Sequence, residues 1–502
     1  LTQVTRDKGG EQGLLRSRGF PTTVNKKPTV AAFHPAFVLR SRRWTETFRS
    51  DVGKALRHNQ GKCLWQEPEI VVDPDVSQLD SILDRLSFSL VAVDTETDGL
   101  DPETCNLRCV GVGSEDLVVV VGFASIENPA RTPRLAPALA RERLGNFFAS
   151  HKRLCGHNVN VYDRPVLARH GLPLRDFRET GDTVIMHHIV DSELPHDLDY
   201  LSSRFTDAPK HKPGHGHAEW QSDRDLHFYC GMDVAVTAHL LPFLERRVLE
   251  TDQARVYQSD VELQRLCVGM HRVGMAIDLV ERKRHEIRLR EKMQLSTSRA
   301  QSVLGRNINL GSPDQVRELL YEKWALRPPE EETDSGLPST NKDAVYYLLQ
   351  SSLPAPIVEF LDALLEYRAA ARSLAKDVLG IAPDSNNRVH PFWSPHTVVT
   401  GRLSSSSPQV QNVPATKLDT DSLRSMYVAA PGNVLVGCDL EQLELRLTAL
   451  IAGDSQWLEA FASGADVHKV NASAFFDKPA ASVTTWERDF TKTITYMFIY
   501  GG

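Results

Sequence analysis

Acidic side chains at three separated places in the sequence could share a divalent cation. In the segment SLVAVDTETDGL, strand alternation places Asp94 and Glu96 on the same face. Asp163 follows in CGHNVNVYDRPVL, and the four-residue spacing of Tyr229 and Asp233 in FYCGMDVAVTAHL gives those two one helix face. Neighbouring carboxylates repel each other unless a cation lies between them, which favours a metal site. The alternative is solvated acids, with Asp94 and Glu96 on an edge strand.

A fifth acid, Asp439, follows the apolar run LVGC at residues 435–438. This run predicts a buried strand, and the leucine-rich segment from Leu443 predicts a helix. We therefore expect Asp439 at a strand-to-helix junction. An acid at such a place is either a helix N-cap or a ligand for a hard cation such as Mg²⁺.

The last segment of the chain, RDFTKTITYMFIYGG, has a four-residue period. Arg488, Lys492, Tyr496 and Tyr500 recur at this spacing and would line one face of a helix. Two cations followed by two aromatic rings suit a nucleoside triphosphate. The alternative is a solvated basic face packed by the aromatic rings.

The elements around these motifs are mainly helical after residue 260. The segment LQRLCVGMHRVGMAID predicts a helix that ends in a glycine-containing turn, and SPD (312–314) and STN (339–341) predict capped helices. The basic segment ERKRHEIRLREKMQ (281–294) predicts a helix whose charged face is solvated or binds duplex phosphates. HKPGHGH (211–217) invites a metal interpretation, but its proline and glycines favour a surface loop. Residues 1–28 predict a loop.

Four segments, taken in order, resemble the family A DNA polymerases, which are related to DNA polymerase I. They are TGRLSSSSPQVQNVP (400–414), the stretch around Asp439, DVH (466–468) and the final segment from Arg488. The resemblance implies that Asp439 holds both catalytic Mg²⁺ ions and that Glu444 excludes ribonucleotides by crowding the sugar. It also implies contacts with template-primer or nucleotide from Arg402, Gln411, Asn412, His468, Arg488, Lys492, Tyr496 and Tyr500.

The sequence departs from this family in two ways. Gln409, Leu440 and Glu441 differ from the residues usual at those positions. The 502 residues also contain no His-Asp-Glu triplet, which in the family carries the second catalytic Asp. Because one carboxylate cannot clamp two ions well, we expect that this polypeptide alone does not polymerise.

The three acidic segments before residue 250 resemble the DEDD nucleases of the tyrosine-containing branch, the proofreading 3'-5' exonuclease domain of many polymerases. The resemblance implies that two Mg²⁺ ions, for which Mn²⁺ can substitute, bind Asp94, Glu96, Asp163 and Asp233. It implies that Tyr229 orients the attacking water. Leu100, Asn158 and Tyr162 would grip the terminal nucleotide, and the spacing from Asn158 to Asp163 suits a phage-type branch.

The segment PTVAAFHPAFVLRSRRW (28–44) resembles the C-terminal motif of uracil-DNA glycosylases. There a His-Pro loop, here at His34, meets the flipped base, and the following arginines hold phosphate. The alternative is a structural turn with a solvated basic face. Since the catalytic front half of such a domain is missing, glycosylase activity is not predicted.

Composition limits the remaining possibilities. A chain of 502 residues has room for about three domains, and its net charge of -7 excludes a uniformly basic nucleic-acid binder. The seven cysteines are scattered and predict reduced thiols.

No apolar run reaches membrane-spanning length, so we expect no membrane contact and a location in the cytoplasm of a bacterial or phage-infected cell. The chain opens with Leu and stops inside a motif, so we expect a fragment at both ends.

These observations predict a multidomain α/β and α+β protein, with a ribonuclease H-like exonuclease domain followed by a partial right-hand polymerase. The expected parts are a glycosylase-like remnant with linker (1–62), the exonuclease (63–250), thumb and palm entry (251–400), palm (401–487) and the start of the fingers helix (488–502). The expected function is proofreading DNA synthesis in replication or repair, with DNA primer-template and dNTPs as partners. The alternatives are an exonuclease only, or the DNA-binding half of a split polymerase completed by a downstream polypeptide.

Overall fold

The computed structural model describes residues 10–128, 133–212, 222–330, 333, 336–414 and 422–501. The chain divides into two compact units, residues 1–428 and 429–502. The first unit combines mixed sheets with helices, and the described part of the second is helical. The predicted multidomain α/β and α+β class is confirmed. No helix in the described ranges has both the length and the apolar character to cross a membrane.

The N-terminal segment is ordered where the sequence predicts a loop, so that prediction is wrong for residues 10–28. Its elements are α1 (Gly10–Ser17), β1 (Pro21–Val24), β2 (Lys27–Val30), α2 (Pro35–Arg40) and α3 (Thr45–Asn59). β1 and β2 pair antiparallel through a two-residue turn at Asn25 and Lys26, whose φ angles are 51° and 62°. Two consecutive positive φ angles are the conformation that a tight hairpin requires. A lysine in that turn hides the usual glycine signal.

A six-stranded mixed sheet forms the centre of the nuclease-like region. Its strands are β3 (Glu69–Val72), β4 (Val91–Thr97), β5 (Leu107–Gly113), β6 (Leu117–Gly122), β7 (Leu154–Gly156) and β8 (Thr180–Asp182), in the order β3-β6-β5-β4-β7-β8. β4 pairs antiparallel with β5 and parallel with β7, so it is interior and not an edge strand. The edge-strand alternative for Asp94 and Glu96 is therefore wrong.

Helices cover both faces of this sheet and enclose two apolar cores. They are α4 (Val76–Leu86), α5 (Pro137–Ser150), α6 (Asp163–Arg169), α7 (Thr183–Val190), α8 (Leu198–Phe205) and α9 (Asp223–Glu250). Val91 and Val93 of β4 pack in one core, and Ala92 packs in the other with Cys230 and Val234 of α9. Because successive strand residues face opposite sides, Asp94 and Glu96 share the Ala92 face, toward α9.

A buried ion pair fixes the N-terminal segment to the nuclease-like region. Arg18 and Asp51 are paired with both side chains fully buried, and Arg18 Nη1 donates to Ser203 Oγ at 3.0 Å. Lys54 donates to the Ser203 carbonyl, and burial lowers the pKa of Lys54 to about 7. Arg18 directly follows α1, Asp51 and Lys54 lie in α3, and Ser203 lies in α8, so this network connects the end of α1 with α3 and α8.

The rest of the first unit is mainly helical. Its elements are α10 (Ala254–Val273), β9 (Met275–Ile277), α11 (Leu279–Leu304), α12 (Pro313–Arg317), α13 (Lys342–Leu349), α14 (Ala355–Ser373), β10 (Arg388–Val389), β11 (Phe392–Ser394), β12 (Ser404–Ser406) and β13 (Tyr427–Val428). α10 ends before Gly274 (φ 64°), and Ser312 and Asn341 cap α12 and α13, as the sequence predicts. The basic helix is α11, which packs along α14.

The second unit contains α15 (Leu443–Ala452), α16 (Ser455–Ala462), α17 (Val467–Phe475) and α18 (Thr485–Ile499). The predicted helix from Leu443 and the final helix are confirmed. The predicted buried strand at 435–438 is wrong, since these residues are irregular and Leu435 and Val436 are 69% and 86% exposed. A strand needs a neighbour to pair its backbone groups, and the described residues from 429 to 501 contain no other strand. The apolar run therefore lacks the pairing that would make it a strand.

Candidate active sites

Close packing of α9 on the sheet brings the predicted nuclease residues together. Asp94 lies opposite Gly111 of β5. A Cβ at Gly111 would lie 2.8 Å from Cys230 Sγ and 2.8 Å from a Val234 methyl group. Because glycine carries no side chain, α9 can lie this close to the strands. Its residues Tyr229 and Asp233 thus face the carboxylates of β4.

The carboxyl groups of β4 and α6 perturb one another strongly. Burial raises the pKa of Asp94 well above its ordinary value, and the charges of Glu96 and Asp163 raise it further. Burial and the charge of Asp233 likewise raise the pKa of Glu96. Burial raises the pKa of Asp163 to about 7, although Thr95 Oγ1 donates a hydrogen bond to Asp163 Oδ1 at 2.6 Å. Mutual repulsion of this kind shows that the predicted acids converge.

The fourth acid, Asp233, has resident cationic partners. His211 Nε2 lies 2.7 Å from Asp233 Oδ1, and Lys212 Nζ lies 3.5 Å from Asp233 Oδ2. Burial would raise the pKa of Asp233, but Lys212 and His211 lower it to about 2. Burial would lower the pKa of Lys212, but the charges of Asp233, Asp199 and Asp94 raise it. Both members of this pair are therefore charged at neutral pH.

Tyr229 belongs to the same cluster, as its spacing predicts. Its hydroxyl interacts with the Asp233 carboxylate, and its ring lies 6.0 Å from the ring of His211. Burial, followed by the charge of Asp233, raises the pKa of Tyr229 far above its ordinary value. The hydroxyl is therefore neutral and can donate a proton in a hydrogen bond.

The donor set fits divalent cations, although it is not arranged as a ligand shell. Within the described ranges, no three His, Cys, Asp or Glu side chains are spaced to enclose a metal ion. Asp163 and Asp233 are turned to Thr95 and to His211 with Lys212. Asp94 Oδ2, however, is buried without a hydrogen-bond partner, and three of the acids have raised pKa values. A buried carboxylate oxygen without a partner, among repelling acids, is what hard cations would stabilise.

Sequence reasoning missed His211 and Lys212 as site residues. Their segment predicts a surface loop, yet the His211 side chain is 3% exposed and Lys212 reaches the carboxylates. Residues 213–217 of the same segment lie outside the described residues, so the metal interpretation of HKPGHGH is not tested there. The sequence signal that could have indicated them is a histidine and a lysine shortly before the Tyr229–Asp233 motif, because two cations there would offset the charge of the clustered acids.

A cavity of about 810 Å³ adjoins the nuclease residues. Its lining includes Arg43, Trp44, His157, Asn158, His196 and His396. Burial and the charge of Lys212 lower the pKa of His157 to about 3, which places His157 beside the carboxylate cluster as well. Burial also lowers the pKa values of His196 and His396 to about 4, so these imidazoles are neutral. Neutral aromatic rings of this kind can stack on an unpaired base.

Of the other residues predicted to grip DNA, Leu100 and Tyr162 lie at the turn after β4, and Asn158 follows β7. Leu100 is 65% exposed in the turn after this strand. Tyr162 donates to the Gly99 carbonyl at 2.6 Å and so fixes that turn. Asn158 has a φ of 61°, and its backbone N–H donates to Asp182 Oδ1 at 3.0 Å. The structure thus leaves Leu100 open to solvent and gives Tyr162 a structural contact.

The predicted template-primer residues lie in an exposed segment of the first unit. Gln411 Nε2 donates to the Leu403 carbonyl at 2.8 Å, which holds the loop after β12 in place. Arg402 and Asn412 are exposed. In the basic helix α11, some charged side chains pair with one another, as Arg290 Nε does with Glu286 Oε1 at 2.9 Å.

In the second unit, α17 and α18 bring four of the predicted nucleotide-binding residues together. Arg488 Nε donates to Asp466 Oδ2, the N-cap of α17, at 2.7 Å. The ring of His468 lies 6.0 Å from that of Tyr496, which stacks on Tyr500 at 6.4 Å. Burial and the charge of Arg488 lower the pKa of His468. Arg488, Tyr496 and Tyr500 of the four-residue period therefore lie on one face of α18, and Lys492 is exposed on the same helix.

Glu444 and Asp439, two further predicted site residues of this unit, differ in whether the structure places them at this face. The Tyr500 hydroxyl donates to Glu444 Oε2 at 2.6 Å, so Glu444 joins the aromatic end of the same face. Asp439 is exposed in the irregular stretch before α15. It is not the helix N-cap, because Gln442 occupies that position, without a capping hydrogen bond from its side chain. The cap alternative for Asp439 is thus wrong, and its metal role stays a prediction.

Both regions of the chain are similar to known proteins. Residues 71–249 match the family described as "3'-5' exonuclease", and residues 280–502 match "DNA polymerase family A". DNA polymerase I of Synechocystis sp. is 28% identical over 455 residues, which are 87% of this chain and 44% of that protein. DNA polymerase I of Pseudomonas aeruginosa is 27% identical over 511 residues, a match that covers 96% of this chain and 54% of that protein. The chain thus spans about half the length of these relatives.

A solved structure shares the fold. It is the POL domain of Pol1 from M. smegmatis in complex with DNA primer-template and dNTP, with a TM-score of 0.65 and 23% identity. The match covers 87% of this chain and 71% of that one. The two family matches mark a 3'-5' exonuclease-like region followed by a region similar to DNA polymerase family A. Over most of its length the chain is similar to DNA polymerase I.

Proposed function

We propose that this chain removes nucleotides from the 3' end of DNA and serves a DNA polymerase as its proofreading part. The observation that carries this proposal is the convergence of Asp94, Glu96, Asp163 and Asp233 with Tyr229 around a buried, unpartnered carboxylate oxygen. Two Mg²⁺ ions, when bound by these acids, would stabilise the attacking and leaving oxygens of a phosphodiester. The proposed limits of this domain are residues 63–250.

The protein's own residues supply positioning. Tyr229 has a neutral hydroxyl beside Asp233, which lets it hold the attacking water by a hydrogen bond. The cavity beside His157 and Asn158 offers aromatic surface to a base of the frayed strand. Leu100, exposed after β4, is available to contact the terminal base. Together these groups would bring one terminal phosphodiester to the four acids.

A degradation assay tests the proposal. A single-stranded oligonucleotide labelled at its 5' end should shorten from its 3' end when the chain and Mg²⁺ are present, releasing deoxynucleoside 5'-monophosphates. EDTA should stop the reaction, and Mn²⁺ should restore it. Retention of full-length oligonucleotide in a stable complex would instead favour the non-enzymatic alternative of a DNA-binding module.

The polymerase role is proposed for the second region, with Asp439 as a Mg²⁺ ligand and Arg402, Gln411 and Asn412 contacting the primer-template. The proposed parts are thumb and palm entry (251–400), palm (401–487) and the start of the fingers (488–502). Since the 502 residues offer no His-Asp-Glu triplet, primer extension should require a polypeptide that supplies the second acid. Extension by the 502-residue chain alone would contradict this part of the proposal.

Replacement of Arg488 by alanine is expected to weaken binding of Mg²⁺-dTTP about tenfold, roughly 1.4 kcal/mol, because a guanidinium would hold a phosphate. Isothermal titration calorimetry with the intact chain measures this change. Arg488→Lys should retain part of the affinity, and Lys469→Ala, exposed on α17, is the matched control. Equal affinities of Arg488→Ala and the unchanged protein would remove Arg488 from the nucleotide site.

Residues 1–62 are proposed as the remnant of a uracil-DNA glycosylase-like domain, in a protein of a phage-type branch. His34 is exposed at the start of α2, and its Nδ1 accepts the Ala36 N–H at 3.1 Å. That contact equally fits a structural turn, so we assign the segment no activity. The proposed location is the cytoplasm of a bacterial or phage-infected cell, where DNA and dNTPs are available.

A further inference from the structure

Lys212 has no role in the function proposed so far, yet its ammonium lies among the nuclease residues. Lys212 Nζ is 3.5 Å from Asp233 Oδ2 and 5.5 Å from the centroid of the Tyr229 ring. His211 holds the other oxygen of Asp233 at 2.7 Å. The Lys212 side chain is 26% exposed, so it reaches the site from its open side while His211 is enclosed.

The balance of charges at the site suggests what the Lys212 ammonium does. Four ionised acids carry four negative charges, which two divalent ions would neutralise. The phosphodiester brings one more negative charge, and further negative charge develops on its oxygens as the bonds exchange. A cation placed where that charge develops accelerates the reaction. Among the described residues that face Asp233, Lys212 is the one whose flexible stem can turn from the carboxylate to a neighbouring phosphate.

We propose that Lys212 is a further catalytic residue of the exonuclease, whose ammonium binds a non-bridging oxygen of the scissile phosphate. The inference rests on the proposed nuclease function. The water oxygen forms a bond to phosphorus while the bond from phosphorus to the 3' oxygen breaks. The water's proton ends on that 3' oxygen, and the products are a nucleoside 5'-monophosphate and a strand shortened by one residue. Lys212 keeps its proton throughout and acts by its charge.

The position of Tyr229 supports this assignment. If Tyr229 orients the attacking water, the phosphorus must lie next to that water. The Lys212 ammonium, 5.5 Å from the ring centroid, is then within a side-chain rotation of the phosphate oxygens. His211 has the different task of holding Asp233 by the other oxygen while Lys212 moves.

Kinetics of Lys212→Met test the proposal, since methionine keeps most of the length of the unbranched side chain and removes the charge. With Mg²⁺ and a single-stranded oligonucleotide, kcat should fall about 100-fold while KM changes little. Lys212→Arg should recover at least a tenth of the rate. Lys210→Met, a charge removal in the same segment, should stay within about threefold of the unchanged chain. Degradation by Lys212→Met within twofold of the unchanged chain would overturn the proposal.

Product binding supplies a readout that does not depend on activity. In the presence of Mn²⁺, Lys212→Met should weaken the affinity for dTMP about tenfold and leave the affinity for thymidine unchanged, because only dTMP carries a phosphate. Unchanged dTMP affinity, together with tighter Mn²⁺ binding, would mean that Lys212 is merely a counter-ion of the acids, and would overturn the proposal. If the unchanged chain does not degrade DNA, the nuclease function fails, and the dTMP comparison still decides whether Lys212 binds phosphate.

Discussion

Replacement of Asp94 by alanine is expected to reduce the exonuclease kcat/KM at least about 1,000-fold, roughly 4 kcal/mol of transition-state free energy. Asp94 lies on the interior strand β4, where Glu96 and Asp163 repel it and its Oδ2 has no hydrogen-bond partner. Loss of this carboxylate would remove a ligand central to the proposed metal pair. Release of dTMP from a 3'-terminal thymidine measures the effect.

Stability separates a chemical role for Asp94 from a structural one. Removal of one repelling acid should leave the melting temperature in EDTA unchanged or higher, because Glu96 and Asp163 repel Asp94 in the absence of metal. Asp98→Ala is the matched control, since Asp98 follows the same strand and binds Asn106 at the surface. The degradation rate of Asp98→Ala should stay within about threefold of the rate of the unchanged chain. An active Asp94→Ala enzyme would contradict the nuclease site.

Replacement of Asp51 by alanine is expected to destabilise the docking of the N-terminal segment by about 3–5 kcal/mol. The change leaves Arg18 fully buried without its carboxylate partner, while Ser203 still accepts hydrogen bonds from its guanidinium. Burial raises the pKa of Asp51, whereas the hydrogen bond and the charge of Arg18 lower it. Each buried charge therefore depends on the other for its stabilisation. Amide hydrogen exchange in α3 measures the loss as faster exchange.

A double variant provides the control for this effect. Arg18→Met with Asp51→Leu removes both charges and should recover most of the protection, because no buried charge remains unpaired. Glu46→Ala breaks a pair with Arg49 whose side chains are 62% and 70% exposed, and should cost less than about 1 kcal/mol. If Asp51→Ala exchanges no faster than Glu46→Ala, the buried pair does not hold the segment.

Local periodicity explains which site residues could be predicted from the sequence. Asp94 and Glu96 share a face because strand side chains alternate, and Tyr229 and Asp233 share one because a helix turns once in 3.6 residues. The same reasoning predicted the face of α18, where His468 and Tyr496 meet. Such relations depend on spacing within one element, which the sequence contains directly.

Relations between distant segments could not be predicted in this way. Lys212 reaches Asp233 from a segment that resembles an ordinary loop, and Arg18 meets Asp51 across 33 residues of chain. The run at 435–438 has the composition of a strand, but strand formation depends on a partner elsewhere. The hairpin at Asn25 and Lys26 was not predicted, because glycine is the usual sequence signal of positive φ angles and is absent from this turn.

The cavity beside His157 has walls from three stretches of chain, residues 15–44, 157–197 and 396–399. A nuclease domain excised at residues 63–250 would keep one wall and lose Arg43, Trp44 and His396. We expect such an excised domain to cut DNA with a weaker hold on the strand, visible as a raised KM at similar kcat. Removal of these two walls would therefore shorten the time for which an unpaired DNA end stays bound at the proposed nuclease site.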